Sequence, residues 1–520
     1  MSTASLLVYA TVAICLARLW SKLTQASRSV GDLPGPLVLI EPFTALSNVL
    51  PRIPLIAKGN TRETELGYAD FISAGYDAFA LKHVWPNAGA MLFVADPDAI
   101  KEITTHRARF PKPLKNYEVV SFFGGNIVAT EGEEWKRHRK ICAPAFSERN
   151  NKLVWDESVR VVLELIDGVW KRADTLSTDH VLELTVQITL FVISAAAFGR
   201  HMSFTEETEV PSGFRIGFKD ALRIVSENVF IKLAVPNRLM GFSRRLREVD
   251  QAFSELEKYM LEMIYTRKHA GATEGHHDLF SSLLDAANGD FEGVSRLGDS
   301  ELIGNIFVFL LAGHETTANT LAFCFALLAL YPEKQEKLFL QTRSVMASLG
   351  HRPEYEDMPL FTYALAVFYE TLRIRPPVNM ILKCSAEDTN MNVKDAQGNT
   401  RTIPVPKGMP VNIHVSGLHH NPRYWENPNE FIPERFLGDY KKDAFLPFSG
   451  GPRACIGRRF AESEEVAVII MLVSQYQISV KADPKYAGET REQRKARLLD
   501  VKNGISMTAV SVPLTFKRRV

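Results

Sequence analysis

Cys455 stands in the run Phe448-Ser449-Gly450-Gly451-Pro452-Arg453-Ala454-Cys455-Ile456-Gly457, and an apolar, helix-forming stretch follows at once. A thiolate is a soft, strongly donating metal ligand. The start of a helix offers free N–H groups and positive partial charge to such an anion. Gly450, Gly451 and Gly457 leave room for a flat cofactor to approach the backbone. The same residues are also compatible with a buried structural cysteine beside a glycine-rich turn. The loop alone does not choose between these readings.

Three other constellations bear on the choice. Ala312-Gly313-His314-Glu315-Thr316-Thr317 places an acid and an alcohol side by side inside an apolar helical run, which suits either proton delivery to a buried site or a tolerated kink. Glu370 and Arg373 are three apart and face one another on a helix, and Arg435 in Pro433-Glu434-Arg435-Phe436 could complete a buried network with them. Trp135 and Arg139 are four apart, so an indole N–H and a guanidinium can reach one buried anionic group. Their neighbours Lys136, Arg137 and Lys140 are expected to point outward as a solvated basic face.

The elements that must position these residues are mostly helical. Residues 131–143 form a basic helix, and helical patterns fill 151–267 with loops near 203–211 and at Pro236. Residues 273–298 read as a surface loop holding a short helix at 278–287. Asp299-Ser300 can cap a helix that runs to Tyr331 before Pro332 stops it. Such a helix spans about 45 Å, enough to cross a whole domain. Strand signals are few: one at 91–95 before Asp96-Pro97 and a short helix, and another from Val378, with turns at 394–399 and 405–408. Residues 122–128 form a glycine-broken apolar loop, either a packed turn or a flexible wall over a pocket, and 419–451 reads as an irregular meander.

The N-terminus is nearly continuously apolar over residues 6–17, extendable to about 20, near the lower limit for a membrane helix. No Lys or Arg precedes it, while Arg18, Lys22 and Arg28 follow, which favours a retained anchor with the body on the cytosolic side. Leu33-Pro34-Gly35-Pro36 reads as a stiff hinge. The formal net charge of +1 over 520 residues argues against a nucleic-acid binder. Five scattered cysteines without a CxxC pair give neither a disulfide framework nor a zinc signature. No Asn-x-Ser/Thr sequon, internal repeat or long linker is present.

Taken together and in this order, the motifs make the chain resemble a cytochrome P450 over nearly its full length. Phe448, Gly451, Arg453 and Cys455 match the family's cysteine signature, which continues into Gly457, Ala461 and Glu464. Residues 312–316 resemble its oxygen-activating motif, 370–373 its ExxR motif, 433–436 its PERF motif, and Trp135 with Arg139 its WxxxR. The resemblance implies a mainly α fold with a small β region, a long central helix over haem and an N-terminal transmembrane anchor. It divides the chain into an anchor helix (1–22), a proline-rich hinge (23–40) and one haem domain (41–520).

It also implies roles. Cys455 would be the axial thiolate of haem b, with Phe448 and Gly457 beside it in the loop. Trp135, Arg139 and Arg453 would anchor the propionates, together with Lys383, where many relatives carry an arginine. Glu315 and Thr316 would relay protons, and Glu370, Arg373 and Arg435 would hold the scaffold. Phe122, Phe123, Val128 and Phe309 fall where relatives line the substrate cavity, and so do Ala312, Val378, Ile381 and Met507. The expected reaction is hydroxylation of a hydrophobic small molecule with dioxygen, in the manner of fungal microsomal enzymes of terpenoid or other secondary metabolism. Electrons would come from NADPH–cytochrome P450 reductase, with cytochrome b5 as a second donor, docked near residues 136–140 and Arg458-Arg459. The expected location is the endoplasmic reticulum membrane, single-pass. The alternatives are a haem-thiolate isomerase or dehydratase needing no reductase, a fatty-acid or xenobiotic hydroxylase, and a haem-binding sensor or carrier; an intact acid–alcohol pair disfavours the first and the last.

Overall fold

The computed structural model describes residues 3–519 apart from 45–46, 48–49, 51–52, 58–66, 205–209, 270–279, 282 and 285–295. The chain is mainly helical with small sheets. It forms two compact units, each assembled from separated stretches of sequence.

The first unit comprises Met1–Asn116, Val378–Glu430 and Lys441–Ala454. Its helix α1 (Thr3–Ser29) continues past residue 22, where the anchor was expected to end. Leu7, Tyr9 and Trp20 on it are exposed by 65–71%. The residues that follow are docked rather than free. Val30 and Leu33 are fully buried, and the carbonyls of Pro34 and Pro36 accept from the N–H groups of Ala80 and Lys82. A Cβ on Gly35 would lie 2.3 Å from the Ala80 carbonyl oxygen. The expected hinge therefore lies along a strand, because proline can still accept where it cannot donate. That strand, Ala78–Trp85, belongs to a five-stranded sheet in the order Leu37–Ile40, Ala78–Trp85, Gly89–Val94, Pro410–His414, Met380–Cys384. Asp96 caps α2 (Pro97–Thr105) by accepting from the N–H groups of Asp98 and Ala99, as Asp-Pro at a helix start allows.

The second unit holds most of the helices. They are α3 (Gly132–Cys142), α4 (Glu148–Glu164), α5 (Val181–Phe198), α6 (Phe218–Ala234), α7 (Arg244–His269), α8 (Asp299–Leu330), α9 (Pro332–Leu349), α10 (Thr362–Ile374) and α11 (Arg458–Gln475). The short helix expected at 278–287 lies outside the described residues apart from 280–281 and 283–284, which are helical. Helix α8 is the predicted long helix, but its N-cap is Gly298, whose N–H donates to Glu301 at 2.8 Å. α8 is unbroken through Gly313, and a Cβ there would fall 2.7 Å from Ile193 Cδ1 on α5. Two α5 hydroxyls also reach α8: Thr185 donates to the Ala318 carbonyl at 2.8 Å and Thr189 to that of His314 at 3.1 Å. A side chain at 313 would therefore displace the tip of Ile193 on α5.

Helix α11 carries Glu464 and Glu465, both fully buried. Neither carboxyl group hydrogen-bonds a partner among the described residues. Burial pushes both well above the usual carboxylate range, and Glu464 pushes Glu465 further in the same direction.

Candidate active site

The residue after the last turn of the cysteine loop sets the site. Cys455 is an exposed residue, although protein crowds its thiol. That crowding pushes its thiol up, while the Gly457 N–H, Arg139 and Arg458 act in the opposite direction and favour the thiolate. The other cysteines lack this setting. Cys142 and Cys324 are buried, burial pushing Cys142 up to about 12, and Cys15 lies on the exposed face of α1.

The glycines of the loop do something different from what was expected. Gly451 sits at φ +64°, and a Cβ on it would fall 2.3 Å from the Thr104 carbonyl oxygen. A Cβ on Gly450 would meet Thr104 Oγ1 at 3.2 Å and Leu446 Cδ1 at 3.3 Å. These two positions admit helix α2 rather than a flat cofactor, because the backbone there packs directly on the end of α2. Gly457 has looser surroundings, with Phe146 Cε1 at 3.6 Å.

Trp135 and Arg139 share one side of α3 as their spacing predicts; Trp135 is buried and Arg139 half-buried. Arg139 interacts electrostatically with Cys455. Arg137 departs from the expected outward face: its guanidinium reaches Glu301 at the start of α8 and donates to the Arg296 carbonyl at 3.1 Å. Lys136 and Lys140 remain exposed, with Lys136 paired to Glu133. Arg458 and Arg459 are already engaged, Arg458 with Glu462 at 2.8 Å and the Tyr369 hydroxyl at 3.0 Å, Arg459 with the Tyr355 hydroxyl at 3.1 Å. In the first unit Lys383 is 3% exposed on the strand Met380–Cys384, and Phe448 and Arg453 are half-buried.

Glu370 and Arg373 are both fully buried and joined by two hydrogen bonds of 2.7 and 2.8 Å. Glu370 Oε1 also accepts from the Ile432 N–H at 2.9 Å and faces Arg435 Nε at 3.4 Å. This is the buried Glu–Arg–Arg network rather than surface decoration.

Midway along α8 the side chains open. Ala312 is exposed and Gly313, Glu315 and Thr316 are only partly buried, in a helix otherwise buried at most of its positions. Thr316 and Thr317 each donate to the carbonyl four residues back at 2.8 Å. Burial raises the Glu315 carboxyl above its ordinary range, and hydrogen bonds from Ser506 partly offset this. Ser506 lies 191 positions away, and no pattern in the sequence singles it out.

The 122–128 loop is a packed turn. A Cβ on Gly124 would lie 2.0 Å from the Ser300 carbonyl oxygen, and one on Gly304 would lie 2.6 Å from the carbonyls of Gly124 and Gly125. The Ile127 N–H donates to Asn305 Oδ1 at 3.0 Å, and Asn126 folds the loop by accepting from Val128 and Ala129. Phe123 packs edge-on against Phe307 with ring centres 4.7 Å apart, and both Phe122 and Phe123 touch Phe253 of α7. Val128 is half-buried, Phe309 is buried against Phe146 and Met507 is buried; in the first unit Val378 is exposed and Ile381 intermediate.

The chain matches the cytochrome P450 family over residues 79–500. It is 51% identical over 470 residues to cytochrome P450 monooxygenase 124 of the fungus Postia placenta, covering 90% of each chain. It is 28% identical over 391 residues to a Streptomyces melanosporofaciens enzyme named cyclooctat-9-en-7-ol 5-monooxygenase, covering 74% of this chain and 79% of that one. The crystal structure of the cytochrome P450DA heme domain superposes with a TM-score of 0.72 at 21% identity, over 94% of this chain and 99% of that one. The protein belongs to the cytochrome P450 family. It is a monooxygenase, and the family holds haem iron through a cysteine thiolate. A cysteine thiol with an N–H and a guanidinium acting on it is a donor that suits such a group.

Proposed function

We propose that the protein hydroxylates an apolar small molecule of terpenoid or other secondary-metabolite type. Dioxygen is the oxidant and NADPH the electron source: R–H + O2 + NADPH + H+ gives R–OH + H2O + NADP+. The observation that carries this reading is the exposed residue Cys455, with the Gly457 N–H and Arg139 acting on its thiol, in a chain of this family. Cys455 is the iron ligand, and the bound haem thiolate supplies the activation of dioxygen. Trp135 and Arg139 bind propionate; Arg453 does so on the strength of the cysteine signature, and Lys383 because many relatives carry an arginine at its position. Thr316 and Glu315 hold and pass protons, and the Glu370–Arg373–Arg435 network keeps the scaffold around the cysteine. Phe122, Phe123, Val128, Phe309, Ala312 and Met507 supply apolar walls for the substrate.

NADPH–cytochrome P450 reductase is the electron donor, with cytochrome b5 as a second. Lys136 and Lys140, exposed on α3, suit an acidic partner surface. The apolar exposed face of α1 supports a single-pass anchor in the endoplasmic reticulum membrane with the body in the cytosol. The name of the Streptomyces relative describes oxygenation at carbon 5 of an alkenol, which supports an alicyclic, lipophilic substrate. The test is co-expression with a reductase while feeding terpenoid scaffolds. A product one oxygen atom heavier, formed only with NADPH and reductase, is expected. Turnover that needs neither would replace this reading with an isomerase or dehydratase.

A further inference from the structure

Glu315 is held from a distant part of the chain. Ser506 connects the paired strands Val501–Asn503 and Met507–Ala509 and is 3% exposed. Its hydroxyl lies 2.7 Å from Glu315 Oε1, and its backbone N–H donates to the same carboxyl group. Asn319, one turn beyond Glu315 on α8, donates from Nδ2 to the Glu315 carbonyl at 2.9 Å and to Ser506 Oγ at 3.3 Å. An amide NH2 can only donate, so the serine oxygen accepts from Asn319 and directs its own hydrogen to Glu315.

The hairpin is fixed on the far side of Ser506 as well. Met507 N–H donates to the Pro377 carbonyl at 2.8 Å, and Ala509 N–H reaches Asn319 Oδ1 at 3.4 Å. The carboxyl group is thus pinned by one oxygen, while the other, Oε2, is buried with no hydrogen-bond partner among the described residues.

We infer that Ser506 is a positioning residue for the reaction: it fixes the Glu315 carboxyl so that Oε2 is the atom left to exchange protons. This rests on the proton-relay role proposed for Glu315. Asn319 orients Ser506, and the 501–509 hairpin becomes part of the apparatus that aims the acid. A glutamate free to rotate about its side-chain bonds would spend much of its time misaligned, and small misplacements of a reacting group are costly.

The test uses the full-length, haem-loaded enzyme with its reductase and reads product formed per NADPH oxidised. Ser506→Ala should lower this coupling about three- to tenfold. Haem content and ligand affinity should stay unchanged, while amide hydrogen exchange at 506–509 should quicken. Ser506→Thr, which keeps the hydroxyl, should restore coupling, and it serves alone if the alanine variant does not fold: an uncoupled but folded threonine variant overturns the inference. In a Glu315→Gln background, Ser506→Ala should cause no further loss of coupling, because no acid remains to be aimed. Normal coupling in Ser506→Ala while Glu315→Gln is uncoupled overturns the inference and leaves the proposed function standing. A further loss in the double variant makes Ser506 merely structural. Normal coupling in Glu315→Gln removes the relay role, and this inference with it.

Discussion

Burial decides what an ion pair contributes, and Glu370 with Arg373 illustrates the rule. On a solvated helix such a pair adds about 0.2–0.5 kcal/mol. Here both side chains are fully buried, and Glu370 joins Arg373, Arg435 and the Ile432 N–H in one network. Removing one partner leaves a buried charge uncompensated, which costs about 3–5 kcal/mol. Arg373→Leu should therefore shift urea unfolding to much lower denaturant or leave no folded holoprotein; a midpoint within experimental scatter of the parent would refute the structural role. The cysteine makes a different kind of prediction. Cys455→Ser should abolish the thiolate-type carbon monoxide difference spectrum of the reduced protein, and a surviving spectrum would remove Cys455 as ligand. Both sites were legible in the sequence because spacing on a helix and a signature loop are local properties. Arg137 was not. Its spacing gives an outward face, but Glu301 at the start of α8 draws it inward, and that contact spans 164 positions.

At the scale of elements, the two misread glycine positions and the misread hinge share one cause. Sequence shows that a backbone is free of side chains but not what approaches it. At Gly451 the visitor is the end of α2, and at Gly35 it is the strand Ala78–Trp85. Gly451→Ala combines a left-handed backbone with a carbonyl 2.3 Å from the new carbon, so a loss of about 1–3 kcal/mol is expected. It would be read as a lower unfolding midpoint with the same ligand spectrum in whatever protein folds. The hinge gives a sharper experiment. Truncation through Ser29 should release the protein from membranes and keep haem binding, whereas truncation through Pro36 also removes Val30, Leu33 and two acceptors for the strand. The second protein should load haem poorly. Equal loading of the two would show that the docked segment contributes little. Long, strongly patterned elements such as α8 and α11 were readable from composition, while the 122–128 turn was not, because Asn126 and Asn305 close it with hydrogen bonds that no local pattern reveals.

For the whole molecule, family and reaction class follow from residues spread along the entire chain, whereas the substrate depends on a few apolar walls whose shape composition does not encode. The fold also has a consequence in solution chemistry. Burial holds the Glu464 and Glu465 carboxyls well above the ordinary value of 4.5 at which each would ionise in the unfolded chain. Folding above that pH must therefore bind hydrogen ions, up to one for each acid. A raised folded-state value means stability is fully present below about 4.5 and declines as pH rises toward the raised values. The decline is about 1.4 kcal/mol per pH unit for each proton taken up. Urea midpoints measured from pH 5 to 8 should fall more steeply for the parent than for Glu465→Gln, and identical slopes would show that Glu465 is already ionised in the folded state. Every molecule that matures near neutrality would then draw acid from its surroundings, so an alkaline compartment would tax its assembly before it touched its catalysis.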